Sequence, residues 1–422
     1  MILYKGKIYD TTETKRLLST LQADANDALL HKSVDKDKLI SAVDMISKRI
    51  SKGEYDEIIN GLDIDGIDEY KNRAAEILTR ENIELNLKAQ LPAMHDLPKI
   101  TAYTAPVGVL FHIAAGNVDV LPAYSVLTGL LCGNVNVLKL PSQDNGITVK
   151  ILSELISLLP ELSDFIYVFD TPSSDVISMV KMAEAADKII VWGGDEAVSA
   201  VRRLAPPQIP VAAWGHKISF AYIGADYEKY ETELSELAEH VIKTSQLLCS
   251  SCQRIYVNSD NPDDADKFCR YFLPILQSAR DKFPLKDIGA AAEATIYEYS
   301  RKIENSIYGV QSKNERVYAG KGCRLISKDD KTLEISGFFG QLTVSAVPLC
   351  ELFDILREKK GYLQTACVIA DKETGREAER IAVAAGVTRL TKPKDMSEAF
   401  IGEAHDGRSE LSEYIRIINK EV

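Results

Sequence analysis

The sequence predicts an α/β fold with two doubly wound domains, a cleft between them and a helical N-terminal segment. The chain has 422 residues, 45% of them hydrophobic, which is enough to build two or three domains of ordinary size. From Val107 onward, short β-branched runs alternate with amphipathic runs, a pattern typical of parallel βαβ units. Between about Thr11 and Ala89 the apolar residues instead follow a helical period among charged residues.

The N-terminal segment, residues 1–97, is expected to form helices that pack on the domain that follows it. Its clearest helical repeat consists of apolar residues three or four positions apart: Leu39, Val43, Ile46 and Ile50. The character of the sequence changes after Pro98, so we place the first domain boundary there.

The first α/β domain, residues 98–217, carries five expected strands: VGVLFHI, NVNVLKL, FIYVF, KIIVW and IPVAAW. Stretches of crossover length separate them, so right-handed connections produce a parallel sheet covered on both faces. The turns that follow the strands lie at the carboxyl edge of such a sheet, where ligands bind. Binding residues are therefore expected in these turns.

The second α/β domain, residues 218–400, continues the alternation. The strand ISFAYI is followed by a helix from about Glu231 to Leu248, and the strand RIYV by a helix from Pro262 to Phe283. The stretch GCRLISKDDKTLEIS has the pattern of a β-hairpin. Residues 401–422 are interpreted as a C-terminal tail.

Composition and charge exclude several functions. Lys and Arg number 50 against 62 Asp and Glu, and the formal net charge of -12 makes nucleic acid an unexpected partner. The most apolar stretch, Val118 to Leu140, is interrupted by Asp119, Pro122 and two glycines, so no transmembrane segment is expected. The first residues lack a secretory signal, and seven cysteines, an odd number, suit a reducing cytoplasm.

A candidate nucleotide-binding turn consists of Trp192, Gly193 and Gly194, between the strand KIIVW and a helix that begins near Asp195. No G-x-G-x-x-G motif follows an expected strand, so the usual dinucleotide fingerprint is missing. Glycines in the turn allow a phosphate to approach the N–H groups of the helix closely. A simple tight turn explains the same residues equally well.

Cys249, in LLCSSCQRIYV, lies where a helix meets a strand, so its side chain can face a cleft. A zinc site would need about four ligands, and no second C-x-x-C or paired His motif accompanies Cys249 and Cys252. A redox dithiol should begin a helix, whereas this pair precedes a strand. The remaining alternatives are a buried structural cysteine and a nucleophile, and a nucleophile requires an oxyanion stabiliser.

Two polar residues in HIAAGNVDVLPAYSVLTGLLCGNVNVLKLPS fit such a site. Asn117 follows a strand and opens a helix, so its amide can point into the same cleft as Cys249, although a helix N-cap is the plainer interpretation. Lys139 ends the next strand, where it can bind ribose or phosphate or simply be a solvated edge residue.

Together these motifs resemble the aldehyde dehydrogenase superfamily and, within it, the acyl-CoA reductase (LuxC) family. The resemblance runs from about Pro106 to the HDG at His405–Gly407. It implies an aldehyde dehydrogenase-like fold with a catalytic cysteine five residues before Arg254. Cys249 holds that position, with Gln246 upstream, which makes Cys252 the weaker candidate.

The resemblance also implies roles for the other motif residues. Asn117 matches the oxyanion-binding asparagine of the family, and Lys139 matches its ribose-binding lysine. Trp192, Gly193 and Gly194 match its nucleotide turn, so residues 98–217 are expected to bind NAD(P) and residues 218–400 to carry the cysteine.

Three departures from the family pattern affect the chemistry. Ala213 replaces the glutamate that activates water in hydrolytic members, which suits transfer of acyl groups to and from a thiol such as CoA. Gly337 replaces a second glutamate that holds the nicotinamide ribose. Ser142 replaces an acidic residue of NAD-preferring members, so less charge opposes a 2′-phosphate and NADPH is the expected donor.

The resemblance therefore implies NADPH-dependent reduction of a fatty acyl-CoA thioester to the aldehyde, through an acyl group on Cys249. NADH is the less expected cofactor. The alternatives are an acyl-phosphate reductase, an aldehyde oxidiser, and a nucleotide- or acyl-binding module without redox activity. The family also implies a homo-oligomer, and no metal is expected.

Overall fold

The computed structural model describes residues 1–59, 67–94, 98–114, 120–142, 144–285 and 315–421, with a few isolated residues between 286 and 314. The chain folds into two compact units: unit 1 consists of Met1–Gly215 and Phe400–Val422, and unit 2 of His216–Ala399. The functions expected for residues 98–217 and 218–400 stay predictions.

The elements of the first 215 residues are β1 (Ile2–Tyr4), β2 (Lys7–Tyr9), α1 (Thr14–His31), α2 (Lys36–Ser51), α3 (Asp56–Ile59), α4 (Ile67–Ile77), α5 (Arg80–Gln90), β3 (Ile100–Pro106), β4 (Val109–Ile113), α6 (Leu121–Leu131), β5 (Val135–Lys139), α7 (Ile147–Leu158), β6 (Ile166–Phe169), α8 (Val176–Glu184), β7 (Lys188–Trp192), α9 (Asp195–Leu204) and β8 (Val211–Trp214). The later elements are β9 (Ile218–Ile223), α10 (Glu231–Thr244), β10 (Cys252–Val257), α11 (Asp263–Lys282), β11 (Glu315–Gly320), β12 (Cys323–Lys328), β13 (Gln341–Ala346), α12 (Leu349–Arg357), β14 (Leu363–Ile369), α13 (Lys372–Ala385), β15 (Arg389–Thr391) and β16 (Ile415–Glu421).

The main sheet of unit 1 has the strand order β2-β1-β6-β5-β4-β7-β8. β4 to β8 are parallel and α6 to α9 connect them, which confirms the five expected strands and the doubly wound topology. The chain runs from β4 through β5 to β6 on one side, and β7 and β8 lie on the other side. The switch point of the sheet therefore lies between β4 and β7, and such sheets bind ligands outside the carboxyl ends there.

The N-terminal segment begins with a hairpin that the sequence analysis did not predict. β1 pairs antiparallel with β2 and with β6, so that Ile2 lies opposite Phe169. Lys5 and Gly6, with φ of 47° and 71°, form the turn of the hairpin. Strands of three residues are too short to show a period of two, so only their pairing reveals them.

The helices after the hairpin confirm the helical character of this segment. The apolar residues predicted to share one helix face, Leu39, Val43, Ile46 and Ile50, are at most 3% exposed. Burial of each such side chain contributes about 1.5–3 kcal/mol. Because α2 contacts α4, α5 and α7, this face attaches the N-terminal helices to unit 1.

The C-terminal segment is also built into unit 1. β16 pairs antiparallel with β3, from Ile415 opposite Pro106 to Glu421 opposite Ile100. Just before β16, Tyr414 is fully buried. The segment expected as a tail thus contributes a strand and core residues.

The sheet of unit 2 has the order β11-β12-β13-β10-β9-β14-β15, and only β11 is antiparallel to its neighbour. The expected hairpin in GCRLISKDDKTLEIS is wrong. β12 instead forms a hairpin with β11, which precedes it, and pairs in parallel with β13. Parallel neighbours require a crossover connection, so residues 329–340 cross from β12 to β13.

Within the described part of the chain, no helix is both long and apolar enough to cross a membrane. The same residues contain no group of three or more His, Cys, Asp or Glu side chains placed to hold a metal ion.

Candidate active site

The cysteine loop, residues 245–251, connects α10 to β10 in unit 2 and contains Cys249. α10 ends at Thr244, earlier than the predicted end at Leu248. The helix ends there because Ser245 and Gln246 adopt φ of 48° and 64°, a left-handed conformation that stops helices. Cys249 therefore lies in a turn, and its side chain is exposed.

A buried amide anchors the cysteine loop. The side chain of Gln246 is fully buried and donates to Ser336 Oγ at 2.8 Å and to the backbone oxygen of Gln341 at 3.0 Å. Its Oε1 accepts a hydrogen bond from the N–H of Gly340 at 2.9 Å. Gln253 Nε2 donates to the backbone oxygen of Gln246 at 2.8 Å. The loop is thus tied to the crossover before β13, which gives Cys249 a defined position.

The sulfur of Cys249 accepts a hydrogen bond from Gln364, a residue that the sequence analysis missed. Gln364 Nε2 lies 3.3 Å from the sulfur, and Ser219 Oγ donates to the backbone oxygen of Cys249 at 2.8 Å. The register between β14 and β9 shifts between Leu363 and Ala366, a bulge of the kind that redirects side chains near active sites. An N–H group that donates to sulfur stabilises the thiolate more than the thiol.

The structure separates the two cysteines of the C-x-x-C sequence. Cys252 is fully buried, and burial raises the pKa of its thiol to about 12. Its Sγ donates to the backbone oxygen of Arg254 at 3.4 Å, as expected of a structural cysteine. All seven cysteines are described and none forms a disulfide; Cys249 and Cys350 are the exposed ones. Exposure therefore favours Cys249 over Cys252 as a nucleophile.

The residues predicted to bind the nucleotide lie in unit 1, at the carboxyl ends of its parallel strands. The residues that follow β4 at the switch point, 115–119, lie outside the described residues, and they include Asn117. The part of the switch point that the structure describes is the turn after β7, which begins at Trp192.

Lys139 ends β5 and is only 5% exposed. Burial lowers the pKa of its ammonium group, and none of the described residues offers that group a hydrogen bond or an ion pair. A buried ammonium group gains from a polar or anionic ligand that forms hydrogen bonds with it, so this strand end suits such a ligand. Ser142, two residues after the strand, is exposed.

Asp170 is a second residue that the sequence analysis missed. It directly follows β6, the neighbour of β5, and its charge attracts the ammonium of Lys139. Half of its side chain is exposed, and its carboxylate accepts a hydrogen bond from the amino group of Met1 at 3.0 Å. A carboxylate therefore stands near Lys139 even though position 142 is a serine.

The turn after β7 leaves room for a close approach to backbone. A Cβ at Gly193 would lie 3.1 Å from the Cβ of Ala197, whereas a Cβ at Gly194 would meet nothing within 4 Å. No side chain caps the first turn of α9, but Asp195 and Glu196 place negative charge there. This charge opposes a phosphate at the helix N-terminus, so the turn suits an uncharged part of a nucleotide better.

The two positions that lack the family glutamates lie in different units. Ala213 is in β8, and its backbone oxygen accepts a hydrogen bond from Arg408 at 2.6 Å. Gly337 follows the buried Ser336 and lines a cavity of about 300 Å³ in unit 2 together with Arg254. Neither position offers a carboxylate for catalysis.

Known proteins resemble the chain in sequence and fold. The family model Acyl-CoA reductase (LuxC) matches residues 32–417. The long-chain acyl-protein thioester reductase of Aliivibrio fischeri is 23% identical over 338 residues, which are 77% of this chain and 67% of that protein. Long-chain acyl-protein thioester reductase 2 of Photobacterium leiognathi is 23% identical over 320 residues, 75% of this chain and 64% of that protein. The chain thus spans about two thirds of the length of these relatives.

A solved structure shows the same fold. The glyceraldehyde-3-phosphate dehydrogenase GapN of Methanocaldococcus jannaschii, crystallised with NADP, is 13% identical, with a TM-score of 0.73 over 99% of this chain and 95% of that chain. This similarity confirms the expected aldehyde dehydrogenase-like fold.

Proposed function

The chain belongs to the acyl-CoA reductase (LuxC) family, and from this membership we propose that it reduces a fatty acyl-CoA thioester to the aldehyde with NADPH. The observation that carries the proposal is the exposed sulfur of Cys249, held in an anchored loop and contacted by the amide of Gln364. The relatives named as long-chain acyl-protein thioester reductases support thioester reduction.

In the proposed first step, the thiolate of Cys249 attacks the thioester carbonyl. A new S–C bond forms, the bond between the carbonyl carbon and the sulfur of CoA breaks, and CoA leaves as a thiolate. The negative oxygen of the tetrahedral intermediate requires N–H donors, and we assign this role to the amide of Asn117 and the backbone N–H of Cys249. The Gln364 amide lies 3.3 Å from the sulfur, and an N–H donated to sulfur favours the thiolate over the thiol.

The acyl group on Cys249 must then survive until it is reduced. Ala213 provides no carboxylate to activate water, so hydrolysis of the acyl-enzyme is slow. Bound NADPH supplies the hydride. Reduction leaves a negative oxygen that again requires N–H donors, and breakage of the S–C bond then releases the aldehyde and restores the thiolate of Cys249.

The residues of unit 1 fit a nicotinamide nucleotide. Lys139 offers a buried ammonium without a described partner at the end of β5, which suits a ribose hydroxyl or phosphate. Trp192, Gly193 and Gly194 form the turn beside the switch point, with open space at Gly194. Residues 98–217 are accordingly proposed as the NAD(P)-binding domain and residues 218–400 as the cysteine domain.

The preference for NADPH depends on charge near Lys139. Ser142 is exposed and uncharged, so the position that is acidic in NAD-preferring members does not itself repel a 2′-phosphate here. Asp170, which acts electrostatically on Lys139, favours NADH instead. Initial rates with the two cofactors at equal concentration decide between them, and a clear preference for NADH would refute the proposed donor.

The direct test incubates the protein with acyl-CoA in the absence of any nicotinamide cofactor. Peptide mass spectrometry should find the acyl group on Cys249 in the unchanged protein and in Cys350→Ser, a matched control at the other exposed cysteine. Cys249→Ser should carry none. An acyl group on Cys252 or Cys350, or no adduct at all, would contradict the assignment of the nucleophile.

A second experiment identifies the acyl donor. It is needed because the relatives are named acyl-protein thioester reductases and not acyl-CoA reductases. Acyl-CoA and an acylated carrier protein are supplied in separate reactions at equal concentration with NADPH, and the aldehyde formed in each reaction is quantified. The proposal expects faster aldehyde formation from acyl-CoA. Aldehyde from the carrier protein alone would replace the proposed donor but keep the reaction.

A further inference from the structure

The segment His405–Gly407, the HDG of the sequence, forms a tight turn in unit 1. Asp406 and Gly407 have φ of 50° and 75°, and the N–H of Arg408 donates to the backbone oxygen of His405 at 2.9 Å. The side chain of Asp406 is only 3% exposed. Few residues other than glycine adopt this conformation, and such residues concentrate at functional sites.

The imidazole of His405 packs on two indole rings. Its centroid lies 5.2 Å from that of Trp192 and 5.2 Å from that of Trp214, and the two indoles stack at 5.4 Å. Trp192 ends β7 and Trp214 ends β8, so the three rings form a cluster at the carboxyl edge of the sheet. We name Trp192, Trp214 and His405 the ring cluster.

Charged residues hold the turn against the strands. The guanidinium of Arg408 lies 4.2 Å from the centroid of Trp214 and donates to the backbone oxygen of Ala213 at 2.6 Å. Glu413 accepts from Lys188 at 2.5 Å and lies 3.6 Å from Arg408. These hydrogen bonds and ionic contacts hold the HDG turn against β7 and β8.

Buried hydrogen bonds fix the orientation of Trp192. Its Nε1 donates to Ser125 Oγ at 3.3 Å, and that hydroxyl lies 2.8 Å from Nδ1 of His112 in β4. Burial lowers the pKa of His112 to about 4, so its neutral ring accepts the hydroxyl proton and donates from Nε2 to Asn136. The ring cluster is thereby connected to both strands that flank the switch point.

The place of the ring cluster indicates its ligand. A dinucleotide bound across a switch point has its two halves on opposite sides of that point. Lys139, on β5, lies on one side, and the ring cluster, on β7 and β8, lies on the other. Neighbouring strands are about 4.8 Å apart, so β5 and β7 are about 10 Å apart, a distance that a dinucleotide spans.

We infer that His405 is a positioning residue that packs the nicotinamide ring against the ring cluster. Trp214 is only 3% exposed, whereas 39% of the side chain of His405 is exposed, so His405 is the more accessible of these two rings to a planar ligand. Aromatic rings prefer such offset or tilted contacts with one another. This inference rests on the proposed use of a nicotinamide cofactor.

The test uses the intrinsic fluorescence of the protein, because the chain has two tryptophans and both belong to the ring cluster. The emission of indole overlaps the absorption of reduced nicotinamide, so bound NADPH should quench it and emit in turn. For His405→Ala, the Kd of NADPH should rise about three- to tenfold, the effect of one lost ring contact. His405→Phe should restore most of the affinity, and His31→Ala, on the surface of α1, should match the unchanged protein.

The outcomes separate this inference from the proposed function. Normal binding and turnover in His405→Ala, or binding without energy transfer in the unchanged protein, would overturn the role of His405 and leave the reductase proposal intact. Failure of the unchanged protein to bind NADPH or NADH would overturn both. The emission of each variant without cofactor, compared with its unfolded state, shows whether the ring cluster has kept its packing.

Discussion

The replacement of Gln246 by methionine tests whether the buried amide holds the cysteine loop in place. Methionine matches the length of glutamine but cannot form the hydrogen bonds to Ser336, Gln341 and Gly340. The N–H of Gly340 then stays buried without a partner, at a cost of about 1–3 kcal/mol, and each further bond lost costs about 0.5–1.5 kcal/mol. We expect the free energy of unfolding to fall by about 2–6 kcal/mol.

Urea unfolding measures this loss, with Gln22→Met, at an exposed position of α1, as the matched control. A second measurement is the rate at which iodoacetamide alkylates Cys249 in the folded protein, which should change in Gln246→Met and stay constant in the control. A change in unfolding free energy below about 1 kcal/mol, with an unaltered alkylation rate, would refute the anchoring role.

Three further predictions concern charge and hydrogen bonding. Gln364→Glu places a carboxylate next to the sulfur of Cys249, so alkylation at neutral pH should slow about tenfold, whereas Gln364→His should retain part of the rate; equal rates would contradict the N–H donation. Asp170→Asn removes the negative charge near Lys139, so the ratio of kcat/KM for NADPH to that for NADH should rise about three- to tenfold, and an unchanged ratio would show that the carboxylate does not sense the cofactor. Burial raises the pKa of Glu410 from 4.5 to about 7, so between these values the folded state keeps a proton that the unfolded chain releases. The free energy of unfolding should therefore fall as the pH rises from about 4.5 to about 7. In Glu410→Gln this decrease should be smaller, by up to about 1.4 kcal/mol per pH unit, as measured by urea unfolding across the pH range. A pH profile identical to that of the unchanged protein would refute the role of Glu410.

The local sequence pattern was sufficient to predict most of the helices and parallel strands. The helix expected to begin near Asp195 begins at that residue, and β4 to β8 correspond to the five apolar runs. Buried parallel strands are continuous apolar runs and amphipathic helices repeat every 3.6 residues, so both are visible within about a dozen residues. The same locality explains the failures: β1 is visible only through its pairing with β6, and residues 329–340 are a crossover only because β12 and β13 are parallel.

Some residues of the candidate site could be predicted from the sequence, and others are identified only by the structure. Cys249, Lys139 and the turn at Trp192 are recognisable from residue type and from their place at the ends of elements. That Gln364 contacts the sulfur, 115 positions away along the chain, follows from a bulge in β14 and not from any motif.

By itself, the sequence determined the fold class, because parallel strands and amphipathic helices differ in local periodicity. It also indicated the family, through the resemblance of its motifs, and the residue types that can perform thioester chemistry. Only the tertiary structure decided which of the two neighbouring cysteines is exposed, which carboxylate stands near Lys139, and which rings surround the HDG turn. These are contacts between distant parts of the chain, and their energies depend on burial and distance, which a linear pattern does not contain.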